Sequence, residues 1–223
     1  LRETAQRHID LCRECHRRMS EGIELIASDP LVREAFKLAN YAILLQQLRS
    51  SSRAAREMQF DDEKGRMFFA PVDMPDPLNP PEGRGQWRPF QLAFILMCLR
   101  SAADGKAPER ETVELIWFPT GGGKTEAYLG LTAFALFHRR LSDPEDSGTH
   151  VLMRYTLRLL TAQQFQRAAG LICAMEHIRS TRTQKDLGSR PFSIGIWLGG
   201  DTTPNKRAAA RSSLIALQNN SWD

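Results

Sequence analysis

Residues 118–125 read Phe-Pro-Thr-Gly-Gly-Gly-Lys-Thr. Three consecutive glycines leave backbone N–H groups unobstructed by any Cβ, and the Lys-Thr pair opens a segment of helical pattern. A chain of phosphates asks for that combination: converging N–H donors, the positive end of a helix dipole, a cation for the terminal oxygens and a hydroxyl for the accompanying Mg²⁺. Lys124 is the expected contact to the β- and γ-phosphates and Thr125 the expected Mg²⁺ ligand, which makes these two the candidate catalytic pair. Thr120, Gly121, Gly122, Gly123 and Glu126 complete the loop expected to hold the nucleotide. One position departs from the generic G-x-x-x-x-G-K-[ST] pattern: Phe118 stands where a glycine would be.

In the usual arrangement such a loop joins a strand to a helix, and the flanking residues predict both. Residues 113–118 (Val-Glu-Leu-Ile-Trp-Phe) read as a short strand, and residues 124–140 as a helix. A strand over 150–155, a long helix over 157–179, a strand over 192–198 and a helix after Pro204 follow. Strand and helix alternating at these lengths predict an α/β fold, with a parallel sheet joined by right-handed crossovers and covered on both faces.

Upstream, residues 1–60 read as a helical extension of two helices broken near Ser28-Asp29-Pro30, with Ser28 as the expected N-cap and Pro30 in the first turn. Leu31, Ala35, Leu38, Ala42 and Leu45 form one apolar stripe, the mark of a packing element. Residues 61–86 hold five of the twelve prolines, and Pro89 follows closely, so this stretch reads as an extended linker and domain boundary. A helix over 90–103 then opens the second unit, 87–223.

Composition sets the outer bounds. The 223 residues are 42% hydrophobic and 25% charged, ordinary values that exclude a disordered or low-complexity chain. No apolar run nears the roughly 20 residues of a membrane-spanning helix. Four cysteines make no disulfide scaffold, so a reducing cytoplasm is expected. The first residue is Leu and no basic-then-apolar leader follows, as expected of part of a longer chain. The net charge of +4 averages a −4 stretch at 61–149 and a +6 stretch at 150–223, and 24 of the 30 cations are Arg, whose planar fork suits phosphate oxygens. His8, Cys12, Cys15 and His16 include a Cys-x-x-Cys-His string. On a continuous helix they cannot easily converge on one ion, so helix-face packing is the expected role. Cys98 and Cys173 fall in apolar helical segments and read as core.

Pro-Thr-Gly-Gly-Gly-Lys-Thr-Glu resembles motif I of superfamily 2 helicases and translocases, which commonly lack the first glycine of the generic pattern. The resemblance covers roughly residues 87–205. Trp87-Arg88-Pro89-Phe90-Gln91, ending 33 residues before Lys124, is similar to the Q-motif region, in which a glutamine reads adenine with the donor and the acceptor of one amide. Residues 151–163 are similar to motif Ia, and the resemblance implies that Thr156, Arg158 and Gln163 meet a nucleic-acid backbone. Gly199-Gly200 resembles the family's glycine pair beside the bound strand. The resemblance implies the first RecA-like lobe of an ATP- and Mg²⁺-dependent motor acting on DNA. Together with Ala35-Phe36-Lys37-Leu38-Ala39-Asn40, the finer resemblance is to the large helicase-like subunit of DISARM anti-phage systems, which implies other defence subunits as partners. No Asp-Glu-x-His acid pair, no third motif and no second lobe are found, so this stretch is expected to bind ATP without turning it over efficiently. The alternatives are a nucleotide-gated DNA-binding scaffold that does not unwind, and a nucleotide-binding domain of another P-loop class.

Overall fold

Asp29 ends one helix and starts the next. In the computed structural model, which describes residues 1–50, 58–61, 65–69, 76–117, 121–155, 158–197, 204 and 206–218, α1 (Arg2–Ser28) and α2 (Pro30–Ser50) meet at this residue. Asp29 Oδ1 accepts the N–H groups of Leu31 and Val32 at 2.8 and 3.1 Å, so Asp29 is the N-cap that Ser28 was expected to be. The Ser28 hydroxyl instead donates to the Glu24 carbonyl of its own helix.

The remaining elements are β1 (Met58–Asp61), β2 (Arg66–Phe69), α3 (Pro89–Ala103), a 3₁₀ turn at Pro108–Glu111, α4 (Lys124–Ser142), α5 (Arg158–Thr181) and α6 (Arg207–Gln218). The helices expected over 90–103, 124–140 and 157–179 are thus present, with ends shifted by no more than two residues. β1 and β2 form an antiparallel hairpin, pairing Met58 with Phe69 and Asp61 with Arg66.

The expected α/β fold with a parallel sheet is not what the chain adopts. Among the described residues the two-stranded hairpin is the only sheet, and helices make up the architecture. Segments 113–117, 150–155 and 192–197, expected to be strands, carry no strand pairing among the described residues. Alternation of apolar side chains promotes an extended backbone, but a parallel strand exists only when a neighbour many residues away lies beside it. In the first segment the apolar residues face outward, with Val113, Leu115 and Trp117 between 81% and 93% exposed. The helices find their partners instead.

A single apolar core joins helices from both sides of the proline-rich stretch. In α2, Val32, Ala35, Leu38, Ala39, Ala42, Ile43 and Leu45 are all buried, at the three-and-four spacing of a helix face. The small residues Ala35, Ala39 and Ala42 let α4 approach closely, and α4 answers with Ala127, Ala133, Phe134 and Phe137, all fully buried. Removing each phenylalanine from water stabilises the fold by about 2–3 kcal/mol. Leu171, Met175 and Ile178 bring α5 onto the same core. Helix α1 lies against α3, where a Cβ at Gly22 would meet the Leu96 carbonyl oxygen at 2.2 Å. Arg18 is buried at this junction, donating to the Met97 carbonyl at 3.0 Å and pairing with Glu114.

Two of the cysteine and histidine expectations need correction. Cys98 is buried as expected, and burial pushes its thiol up to about 12, but Cys173 is exposed. His8, Cys12 and His16 are exposed on the first half of α1, and only Cys15 of the four is half-buried. Among the described residues no group of three or more His, Cys, Asp or Glu side chains is placed to hold a metal ion.

Candidate phosphate-binding site

Trp87 starts the construction. Its ring lies against Gly130 of α4, where a Cβ would fall 2.6 Å from the indole, and its Nε1 donates to Asn40 Oδ1 of α2 at 2.6 Å. Asn40 in turn donates to the Phe36 carbonyl at 2.7 Å. The entry to α3 is thereby pinned to α2 and α4 before the helix begins. Pro89 then occupies the first turn, where its missing N–H costs nothing.

The N-terminal end of α3 reaches the glycine turn at the start of α4. Gln91 is 4% exposed; its Oε1 accepts the Arg88 N–H at 2.8 Å, and its Nε2 donates to the Gly123 carbonyl at 2.7 Å. Arg88 Nη1 donates to the Gly122 carbonyl at 2.8 Å. Gly121 and Gly123 have φ of +83° and +87°, a backbone region in which a side chain is strained. Gly123 is also the N-cap of α4, and a Cβ there would lie 2.8 Å from Gln91 Nε2. Glycine at this position is required twice, by the dihedral and by the neighbour.

Lys124, Thr125 and Glu126 form the first turn of α4 and are half-buried. Glu126 pairs with Arg167 of α5, and burial lowers the Arg167 pKa from its ordinary value. This ion pair ties the turn to α5, just as Gln91 and Arg88 tie it to α3.

The structure therefore brings Gln91, Gly122, Gly123 and Glu126 together with Lys124 and Thr125 at one helix start. Gln163 is exposed near the beginning of α5, one turn before Arg167. Thr120, Thr156, Gly199 and Gly200 lie outside the described residues; Arg158 is the first residue of α5, and its side chain is likewise outside them. Arg167, and Arg88 as a loop contact, were missed from sequence. Arg88 was detectable as the residue entering a helix next to Gln91, whereas nothing local marks Arg167.

A second region is apolar. A groove of about 920 Å³ lies between α4, α5 and the segments 146–155 and 191–197, lined among others by Leu136, Met153, Phe165, Ile172, Phe192 and Ile196. One end of its wall is organised by Arg140, which is 5% exposed and donates to the carbonyls of Asp146, Leu187 and Arg190 at 3.0, 3.0 and 2.5 Å. Its guanidinium also lies 4.8 Å from the Phe192 ring centroid. Neighbouring Arg139 pairs with Asp146 and lies 2.8 Å from His150 Nδ1. Burial and the Arg139 charge depress the His150 pKa.

A glycine turn opens α4, with two of its carbonyls bonded by the side chains of Arg88 and Gln91 and with a lysine in the first helical position. The chain is similar to DISARM protein DrmA of Bacillus paralicheniformis (strain ATCC 9945a / NCIMB 11709 / CD-2), with 37% identity over 214 residues. That match takes in 92% of this chain and 18% of the relative, so the chain spans less than a fifth of the length of the curated protein it matches. The identity supports a DrmA-like relationship. No family model matches the chain. Among the described residues no helix is long and apolar enough to cross a membrane.

Proposed function

We propose that this chain carries the nucleotide-binding part of an ATP-dependent nucleic-acid motor working in anti-phage defence. The observation that carries the reading is the turn at Gly121–Gly123, whose two left-handed glycines lead straight into Lys124 at the start of α4. The donor set suits a triphosphate: backbone N–H groups at a helix N-terminus, a lysine and a threonine hydroxyl, with the one carboxylate of the first turn, Glu126, paired to Arg167. Lys124 would hold the β- and γ-phosphates and Thr125 the Mg²⁺, while Gly121, Gly122 and Gly123, with Thr120 before them, wrap the phosphate chain. Mg²⁺ supplies charge neutralisation on the phosphate oxygens when bound. Similarity to DrmA supports the defence setting and, with it, other subunits of such a system as partners.

DNA is the proposed track, either as a single strand or at a duplex end. The excess of cations at 150–223 supports this, as does the motif Ia likeness that gives Thr156, Arg158 and Gln163, with Gly199 and Gly200, a role along the nucleic-acid backbone. Lys124→Ala tests the nucleotide half of the proposal. Mg-ATP should raise the melting temperature of the wild type and leave the variant unchanged, and equal stabilisation of both would sink the phosphate-loop assignment.

A further inference from the structure

We infer that Arg88 and Gln91 are positioning residues that aim the phosphate donors of the glycine turn. The inference rests on the reading of that turn as a phosphate site. In a trans peptide the C=O of one residue and the N–H of the next point in opposite directions, and the described residues contain no cis peptide bond. Gln91 Nε2 holds the Gly123 carbonyl at 2.7 Å, which turns the Lys124 N–H away from the start of α3. Arg88 Nη1 holds the Gly122 carbonyl at 2.8 Å and turns the Gly123 N–H the same way. These two N–H groups sit at the beginning of α4, the end of a helix whose dipole favours an anion.

Glycine needs this outside hold. A turn of three glycines can rotate its peptides at little cost, so the sequence that gives phosphate access also leaves the donors without a fixed direction. Gln91 cannot reverse its amide to release the loop, because its Oε1 is already engaged by the Arg88 N–H at 2.8 Å and a reversed amide would set donor against donor. Both ends of the amide are therefore committed to protein. Reading adenine, as the superfamily resemblance implies for this residue, would require breaking two hydrogen bonds inside a side chain that is 4% exposed. Gln91 acts on the phosphates through the loop, whatever base is attached.

Gln91→Glu separates the two bonds, since a carboxylate still accepts from the Arg88 N–H but cannot donate to the Gly123 carbonyl. In the full-length protein, Gln91→Glu, the neutral Gln91→Met and Arg88→Ala are compared with wild type for calorimetric binding of Mg-ATP, Mg-GTP and inorganic triphosphate. Amide hydrogen exchange over residues 121–125 is followed without ligand, and the melting temperature controls for folding. Each variant should lose affinity for all three ligands by about three- to tenfold, the size of one lost hydrogen bond, with the ATP-to-GTP ratio unchanged. Exchange at Gly123 and Lys124 should accelerate, and each variant should melt a few degrees below wild type while still unfolding cooperatively. Loss confined to ATP would overturn the inference and make Gln91 an adenine reader. Unchanged affinities together with unchanged exchange would overturn it as well, reducing the two contacts to packing. If wild type bound none of the three ligands, the phosphate reading would fall and the role assigned to these residues with it, while the exchange rates would still report whether they hold the loop.

Discussion

Gly121→Ala and Gly123→Ala place the same methyl group on two residues of nearly the same dihedral, and the structure makes them unequal. A left-handed L-residue costs about 1–2 kcal/mol. At Gly121, with φ of +83°, none of the described residues lies within 4 Å of the added carbon, so the substitution should stop at that strain. At Gly123, with φ of +87°, the carbon falls 2.8 Å from Gln91 Nε2 and 3.4 Å from Glu126 Oε2. The Gln91 side chain must withdraw and surrender its bond to the Gly123 carbonyl, which adds about 1 kcal/mol. Gly121→Ala should therefore destabilise by about 1–2 kcal/mol and Gly123→Ala by about 2–3 kcal/mol. The extra loss belongs to Gln91, so Gln91→Ala in the Gly123→Ala background should cost about 1 kcal/mol less than in wild type. Urea denaturation monitored by circular dichroism reads these values from midpoint shifts at constant slope. Equal losses for the two alanines, or strict additivity of Gln91→Ala with Gly123→Ala, would refute the placement of Gln91 over the turn.

Gly22→Ala should separate α1 from α3, because the new carbon would lie 2.2 Å from the Leu96 backbone oxygen, which cannot rotate away as a side chain can. A loss of about 1–3 kcal/mol with faster amide exchange along α1 is expected, and a neutral effect would contradict the close crossing. Acid should destabilise the chain in two stages. Burial holds the His138 pKa below the ordinary 6.5, so the unfolded chain takes up that proton first and stability falls as pH drops below the ordinary value. Hydrogen bonds from Arg179 and Arg182 hold the carboxyls of Glu176 and Asp186 below their ordinary values, so their contributions are complete above the usual carboxylate range and fade as pH falls through it. His138→Leu should reduce the fall in melting temperature between about pH 7 and pH 5, with His150, whose pKa is also depressed, keeping part of it, and should leave the lower stage in place; an upper stage of undiminished size would assign it elsewhere.

The helices were legible because their signals are local. The stripe from Leu31 to Leu45 is the buried face of α2, and Pro89, Lys124 and the apolar residues after them mark helix starts that the structure reproduces. The break near Pro30 was also legible, but its cap was assigned one residue early. Ser28 and Asp29 are both good cap residues, and only the backbone decides which carbonyl the chain has already turned away from. Cys173 misled for a related reason: an apolar neighbourhood in sequence includes both faces of a helix, and this residue falls on the outer one of α5. The three segments read as strands misled most, since period-two alternation promotes an extended backbone without specifying a neighbour.

What the sequence determined by itself was the chemistry of one short turn. Glycines at 121–123 and a lysine at 124 permit close approach of an anion to the head of a helix, and no distant residue is needed to read this. Tertiary structure decided what surrounds that turn: Gln91 on the Gly123 carbonyl, Arg88 on Gly122 and Arg167 on Glu126, each joining residues more than thirty positions apart. Those pairings follow from how α3 and α5 pack around α4 and α2, which depends on many small burial gains across the whole core. Turn chemistry is a property of neighbours along the chain, whereas the direction in which a flexible glycine peptide points depends on what the fold places beside it.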